Sequence, residues 1–321
     1  MVGMPIVGMP GKVLALAGGT GGAKLALGLA RVLPPQRLVI VVNTGDDECF
    51  HGLHVSPDLD TIMYTLAGLV NQETGWGLTG DTFNALEMLR KYDVDTWFNL
   101  GDQDLATHLR RTQLLRQGLT LSQVTEELCR RLGVEHQVVP MSDQMVRTVL
   151  STDAGDLAMQ AYFVQHRSGP KVSSIAYLGA ESAEAAPKFA AAMDEAELVV
   201  FCPSNPYLSV GPILAVPNVR RHLAEMVPRR LRVAVSPIVA GAAIKGPAAK
   251  IMAEMGHEVS CVGIARSYRD IADVLVIDQQ DAHLAPELER MGLKPLVAPT
   301  IMNTETDKIA LARRILQLTV D

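Results

Sequence analysis

Apolar residues along the chain fall into short continuous runs rather than strict alternation. Val13–Ala17, Leu38–Val42, Leu198–Cys202, Arg232–Val235, Val259–Ile264 and Val274–Ile277 each read as a short strand. Runs of this kind mark parallel strands covered on both faces. The first ends in glycines and leads into an apolar helical stretch from about Gly22 to Leu33, stopped by Pro34-Pro35. Strand, glycine turn, helix and strand make a βαβ unit. The middle of the chain is more helical. Asp81 is placed to cap a helix through about Tyr92, Asp102 one through about Gln117, and Ser122 one to about Leu132, with Val94–Phe98 as a strand between them. From Val134 to Leu178 the texture changes to β-rich runs, Val146–Leu150 and Val172–Tyr177, between polar turns. The pattern predicts an α/β fold with a doubly wound, mainly parallel, Rossmann-like sheet in three layers. Residues 12–133 and 190–321 build that core, and 134–189 form a smaller β-rich inserted lobe. Residues 1–11, which repeat the phrase V-G-M-P, are expected to be a loose N-terminal tail.

Composition narrows the function classes. Among 321 residues, 48% are hydrophobic and 20% charged, which excludes general disorder. With 29 basic and 35 acidic residues the net charge is −6, and no basic stripe suggests a nucleic-acid partner. No apolar run approaches the roughly 18 residues of a membrane span, and no signal-peptide pattern is seen. Cys49, Cys129, Cys202 and Cys261 are far apart, which argues against a disulfide framework and fits a reducing cytoplasm. A cytoplasmic enzyme is the expectation.

The candidate chemistry sits after the strands. Gly18-Gly19-Thr20-Gly21-Gly22-Ala23-Lys24 joins the first strand to the first helix, where backbone amides can approach a phosphate. It is not a Walker A loop, because Leu25 follows Lys24, nor a dinucleotide fingerprint, because Lys24 stands where glycine or alanine is required. A nicotinamide oxidoreductase is thereby disfavoured. A general phosphate or nucleotide turn and a tight helix–sheet packing turn both stay open. Beyond the second strand, Asp46, Asp47, Asp58 and Asp60 place four carboxylates near the C-terminal sheet edge, hard oxygen ligands suited to Mg²⁺. Asp60 could alternatively cap a helix. His51 and His54 lack a third ligand in register, so no zinc site is expected. Asp104, His108 and Arg111 share one helical face by spacing, as a polar pocket wall or an exposed ion-pair stripe. In the second half, Pro203-Ser204-Asn205-Pro206 and Ser236–Gly241 follow strands, and Lys245-Gly246-Pro247 adds a cation. These loops make a nucleotide or diphosphate cradle or ordinary turns.

Taken in order, Ala17–Gly22, Asn43–Asp47, Ser56–Thr61, Gly80–Phe83, Leu100–Asp104, Met141–Asp143, Pro203–Pro206 and Lys245–Pro247 form a recognisable series. From about residue 12 to the C-terminus it resembles the 2-phospho-L-lactate transferase family of coenzyme F420 biosynthesis, whose members in many bacteria are phosphoenolpyruvate transferases. The resemblance implies transfer of a phosphorylated three-carbon acid (phospholactate, phosphoenolpyruvate or phosphoglycerate) from a guanosine-diphosphate-activated donor. The acceptor would be the ribityl hydroxyl of 7,8-didemethyl-8-hydroxy-5-deazariboflavin, with release of GMP, a requirement for Mg²⁺ and a homodimer. It also implies a deazaflavin contact at Asp60, near the reacting hydroxyl, and a second at Asn99, where relatives often carry a basic residue. Gly19, Thr20, Gly21, Gly22, Lys24, Ser204, Asn205, Lys245 and Gly246 are then the candidate nucleotide and phosphate contacts. Asp60, Asp46 and Asp47 are the candidate catalytic carboxylates. A distant class sharing the Gly-Gly-Thr-Gly-Gly turn supplies the alternative, a non-catalytic nucleotide-sugar-binding regulator, against which the segment Pro57–Thr61 argues.

Overall fold

The computed structural model describes residues 10–226 and 230–319. Of the expected tail, residues 1–9 lie outside the described residues, and Gly11 already donates its amide to Glu197 at 2.6 Å. Fourteen strands are described: β1 (Val13–Ala17), β2 (Leu38–Val42), β3 (Glu48–Phe50), β4 (Leu53–Val55), β5 (Gln137–Pro140), β6 (Arg147–Thr152), β7 (Gly155–Ala158), β8 (Val172–Leu178), β9 (Leu198–Phe201), β10 (Leu231–Val235), β11 (Ile238–Val239), β12 (Ala242–Ala243), β13 (Val274–Ile277) and β14 (Lys294–Val297). Seven of them form one parallel sheet in the order β5-β2-β1-β9-β10-β13-β14. The chain builds outward on one side of β1, then returns to build outward on the other. This is the doubly wound Rossmann-like arrangement, with its topological switch between β1 and β9.

Burial on both faces explains the continuous apolar runs. In β1, Leu14 and Leu16 enter one core while Val13, Ala15 and Ala17 enter the other. Helices α1 (Gly19–Val32), α2 (Pro57–Ala67), α5 (Leu121–Arg131) and α12 (Glu305–Gln317) cover the second face with Leu25, Ile62, Val124 and Ile315. Helices α6 (Pro187–Glu195), α7 (Gly211–Ala215), α8 (Val219–Glu225), α9 (Ala248–Glu254), α10 (Cys261–Tyr268) and α11 (Ala285–Arg290) cover the first. The antiparallel sheet β7-β6-β8 has its own small core of Leu150, Tyr162 and Val172, closed by Leu208 and Ile251. It spans residues 147–178, and β5, inside the stretch expected to be the inserted lobe, is instead the edge strand of the main sheet. No helix among the described residues is long and apolar enough to cross a membrane.

Several local expectations need correction. Val94–Phe98 is irregular chain rather than a strand. Its aromatics serve a satellite core in which Phe98 stacks on Phe50 at 4.0 Å between centroids. Val259–Ile264 is not a strand either, because the Ser260 hydroxyl accepts from the amides of Val262 and Gly263 and starts α10. Thr120, not Ser122, caps α5, in a reciprocal box with Gln123.

Two expected caps have exchanged helices. Helices α3 (Asn84–Lys91) and α4 (Asp104–Arg116) lie side by side at their starts. The Asp102 carboxylate accepts from the amides of Asn84 and Ala85 on α3, and Asp81 accepts from those of Gln103 and Asp104 on α4. Each carboxylate thus satisfies the open first-turn donors of the other helix. We expect Asp81→Ala to lower stability by about 1 kcal/mol in urea melts. Hydrogen exchange should quicken at the amides of residues 103 and 104, whereas quickening confined to the start of α3 would contradict the exchanged caps.

Candidate active site

At the switch point the turn after β1 meets the loop after β9. The Ser204 hydroxyl accepts from the Gly18 amide at 3.1 Å and donates to the Gly18 carbonyl at 2.8 Å. A Cβ at Gly18 would lie 2.5 Å from Asp58 Oδ2, and one at Gly21 would lie 2.3 Å from the Pro203 carbonyl oxygen. These glycines let three chain segments touch. The first turn of α1 carries no acidic residue and no side-chain cap, and only Gly19 is matched to a carboxylate, Asp58 Oδ1 at 2.7 Å. The amides of Thr20 and Gly21 belong to a first turn that has no intrahelical acceptors, at the positive end of the helix dipole. The turn therefore packs tightly and also keeps amide donors of the kind that an anion uses.

Opposite it lies an acidic cluster built on Asn43. This buried side chain donates from Nδ2 towards Asp46 Oδ1 (2.9 Å), Asp58 Oδ2 (2.9 Å) and the Leu208 carbonyl (3.2 Å), while its Oδ1 accepts from the Gly45 amide (2.7 Å). Burial, with the charges of Asp58 and Asp47, pushes the Asp46 carboxyl well above the usual range. Burial raises Asp58 to about 6 against the hydrogen bonds from Asn43 and Gly19. Burial also raises Asp47, although His54 Nε2 at 3.0 Å and the Ser56 hydroxyl at 2.7 Å both engage its Oδ2. Asp47 Oδ1 is buried without a hydrogen-bond partner, as are the hydroxyls of Thr44 and Thr148 around the same turn. From the inserted lobe, Gln160 reaches Asp46 Oδ2 at 3.3 Å. Ionising these carboxylates together is therefore disfavoured, as burial and mutual repulsion both oppose it.

The fourth carboxylate stands apart. Asp58 and Asp60 are two residues apart in the first turn of α2, so they leave the helix on opposite sides. Asp60 is not the cap, since Ser56 precedes the helix and the Asp60 amide makes the first intrahelical bond to the Ser56 carbonyl at 2.9 Å. Both Asp60 oxygens accept from Arg111, one of them at 3.1 Å, and Arg111 is only 1% exposed. Burial works against the guanidinium charge, but the Asp60 carboxylate more than offsets it and raises the Arg111 pKa. His108 stands 3.7 Å from Asp60 and 3.3 Å from Asp104, and the Tyr64 hydroxyl donates to Asp104 at 2.6 Å. The Asp104–His108–Arg111 face is thus a buried network, not an exposed stripe. Ligand atoms of Asp60, Asp104 and His108 lie within 4.8 Å of one another, but Arg111 already supplies the positive charge there.

The remaining candidates are dispersed. Asn99 is exposed on the loop before α4, and His51 is exposed at the β3–β4 turn. Asn205 uses its carbonyl oxygen to accept from Tyr207 and Leu208 amides. Lys245 and Gly246 lie on an exposed loop, and Lys245 donates to the Thr74 carbonyl. Burial and the charge of Lys24 lower the Lys245 pKa, so the two cations stand near each other beside the glycine turn. Sequence reasoning names Arg111 only as one side of a pocket wall or ion-pair stripe, and it does not single out Asn43, Thr148 or Gln160 as site residues. Only Asn43 and Arg111 carried any signal, one inside the Asn43–Asp47 segment and the other in the helical spacing.

A family model described as "2-phospho-L-lactate transferase CofD" matches residues 13–309. A phosphoenolpyruvate transferase of Streptomyces griseus is 42% identical over 314 residues, covering 96% of this chain and 98% of the relative. A 2-phospho-L-lactate transferase of Methanococcus maripaludis is 37% identical, covering 95% and 98%. A crystal structure of a UPF0052 family protein from Bacillus halodurans superposes with a TM-score of 0.61 at 17% identity, covering 96% of this chain and 99% of that one, a likeness of fold alone. Near-complete coverage at such identities places the chain in the 2-phospho-L-lactate transferase family, a family of transferase enzymes.

Proposed function

We propose that the chain transfers a phosphorylated three-carbon acid from a guanosine-diphosphate-activated donor to the ribityl hydroxyl of 7,8-didemethyl-8-hydroxy-5-deazariboflavin, releasing GMP, in coenzyme F420 biosynthesis. The functions named for its relatives, phosphoenolpyruvate and 2-phospho-L-lactate transfer, support the acid class. The observation that carries the reading is the facing of the buried Asp46 and Asp58 and the half-buried Asp47 with the open first turn of α1 across the switch point, with Lys24 and Lys245 alongside. Phosphoryl-type transfer asks chiefly for positioning and for neutralised oxygen charge. The ribityl oxygen bonds to the acid-bearing phosphorus as the bond from that phosphorus to the GMP phosphate breaks, and the hydroxyl proton passes to a carboxylate. No covalent nucleophile is needed.

The residues fit a hard divalent cation. Asp46, Asp47 and Asp58 offer only oxygens, their carboxyls are all raised, and Asp47 Oδ1 has no other partner. Mg²⁺ held there would neutralise diphosphate charge. Asp60, saturated by Arg111, is assigned to the deazaflavin side rather than to the metal, which narrows four carboxylates to three.

Exhaustive chelation is expected to abolish formation of the phosphodiester product, followed by mass spectrometry, and Mg²⁺ to restore it. Full turnover after chelation would remove the metal from the reaction. In the absence of substrates, Mg²⁺ should raise the melting temperature of the wild-type chain, and Asp46→Asn should erase most of that rise; equal shifts would place the cation elsewhere. Asp60→Asn leaves the Arg111 charge buried and unpaired, so a loss of about 3–5 kcal/mol is expected. Adding Arg111→Met should recover part of it, and a single variant as stable as wild type would show that Asp60 is not the counter-charge that matters.

A further inference from the structure

The chain has two tryptophans. Trp97 packs edge-on against Phe50, with ring centroids 5.2 Å apart. Trp76 is 43% exposed at the tip of the ordered loop Leu69–Thr79. The loop is pinned by Thr79 N to the Leu69 carbonyl (2.9 Å), Asn71 N to the Gly77 carbonyl (3.0 Å) and Gly75 N to the Asn71 carbonyl (2.8 Å). The Thr74 hydroxyl donates to the Trp76 carbonyl at 2.7 Å. Gly75 and Gly77, on either side of the indole, both take left-handed backbone, at φ 76° and 68°, a conformation that a side chain would strain. A large ring is thus held in solvent by a fixed scaffold, where it forgoes the gain of burial.

The place where it is held is specific. A Cβ at Gly75 would lie 2.9 Å from Thr20 Cγ2 and 3.3 Å from Lys245 Nζ, and Lys245 donates to the Thr74 carbonyl. The tip therefore rests on the glycine turn and on one of the two lysines beside it. Ile244, half-exposed next to Lys245, adds an apolar surface from the neighbouring loop. Asp60 leaves α2 on the side away from Asp58 and the turn. A flat ring joined to phosphates on the turn would meet the indole there.

We propose that Trp76 is the stacking wall for the guanine of the donor, whose diphosphate lies on the α1 turn beside Lys24 and Lys245. This rests on the nucleoside-diphosphate donor proposed above. Stacking is worth about 1–3 kcal/mol per base, which corresponds to roughly 5- to 150-fold in affinity.

Trp97→Phe leaves Trp76 as the sole indole, so its fluorescence can be followed during titration with GDP, with inorganic pyrophosphate as the phosphate-only probe and calorimetry in parallel. GDP should quench the indole and pyrophosphate should not. Trp76→Ala should weaken GDP binding about 10-fold at unchanged melting temperature and unchanged pyrophosphate affinity, and Trp76→Phe should recover most of the loss. Calorimetric GDP binding with unaltered fluorescence would overturn the assignment. So would equal GDP affinity in Trp76→Ala, an equal loss for both probes, or quenching by the deazaflavin alcohol in place of GDP. Absence of GDP binding to the wild-type chain would defeat the donor reading itself, and this inference with it.

Discussion

Asn43 stands directly after β2 with no exposed surface, and its amide nitrogen lies within 2.9–3.2 Å of acceptors on three separate segments. Two hydrogens serve three acceptors, and the amide oxygen is spent on Gly45. One side chain thereby ties the loop after β2 to the start of α2 and to the loop after β9. Two of its acceptors are carboxylates, Asp46 and Asp58, held side by side where they repel each other. Such a cluster costs folding energy while it is charged and uncompensated. The cation and anionic substrate proposed for this site would turn that cost into affinity.

The rest of the edge is arranged around this strain. The α1 turn offers amides, Lys24 and Lys245 offer charge, and the inserted lobe brings Gln160 over Asp46. Helix α2 separates two kinds of acidity on its opposite sides. Asp58 faces the glycine turn, and Asp60 is neutralised by Arg111 from α4. The same helix α4 grips His54, its Thr112 hydroxyl accepting from the His54 amide at 2.8 Å, and His54 in turn holds Asp47. Helix α4 therefore supports groups on both sides of α2, Asp60 through Arg111 and Asp47 through Thr112 and His54.

Much of the frame was legible because β1, β2, β9, β10 and β13 are buried on both faces and read as apolar runs. β14 was not, since its Lys294 and Pro295 break the run, and β5 is short and lies at the edge. Asp81 and Asp102 were recognised as caps, but local rules assign a cap to the helix that follows it, and here each serves the neighbouring helix. The Asp104, His108 and Arg111 face was correct in spacing. Its burial was hidden because the partner, Asp60, is 51 residues away from Arg111 in the chain. The Asp-Leu-Asp spacing already suggests that Asp58 and Asp60 face opposite ways, and the helical geometry of α2 fixes which of them joins Asp46 and Asp47. Thr148 and Gln160 carried no signal at all, as they reach the site from a lobe whose docking is a tertiary fact.

We propose that the Asn43-centred carboxylates, and not the Asp60 network, take the divalent cation. Anomalous diffraction from crystals soaked with Mn²⁺ and GDP measures this directly. One peak is expected about 2 Å from carboxylate oxygens of the Asp46, Asp47 and Asp58 cluster, with diphosphate density towards the α1 turn. A peak between Asp60, Asp104 and His108, or Mn²⁺ bound only to the nucleotide away from Asp46 and Asp58, would contradict it.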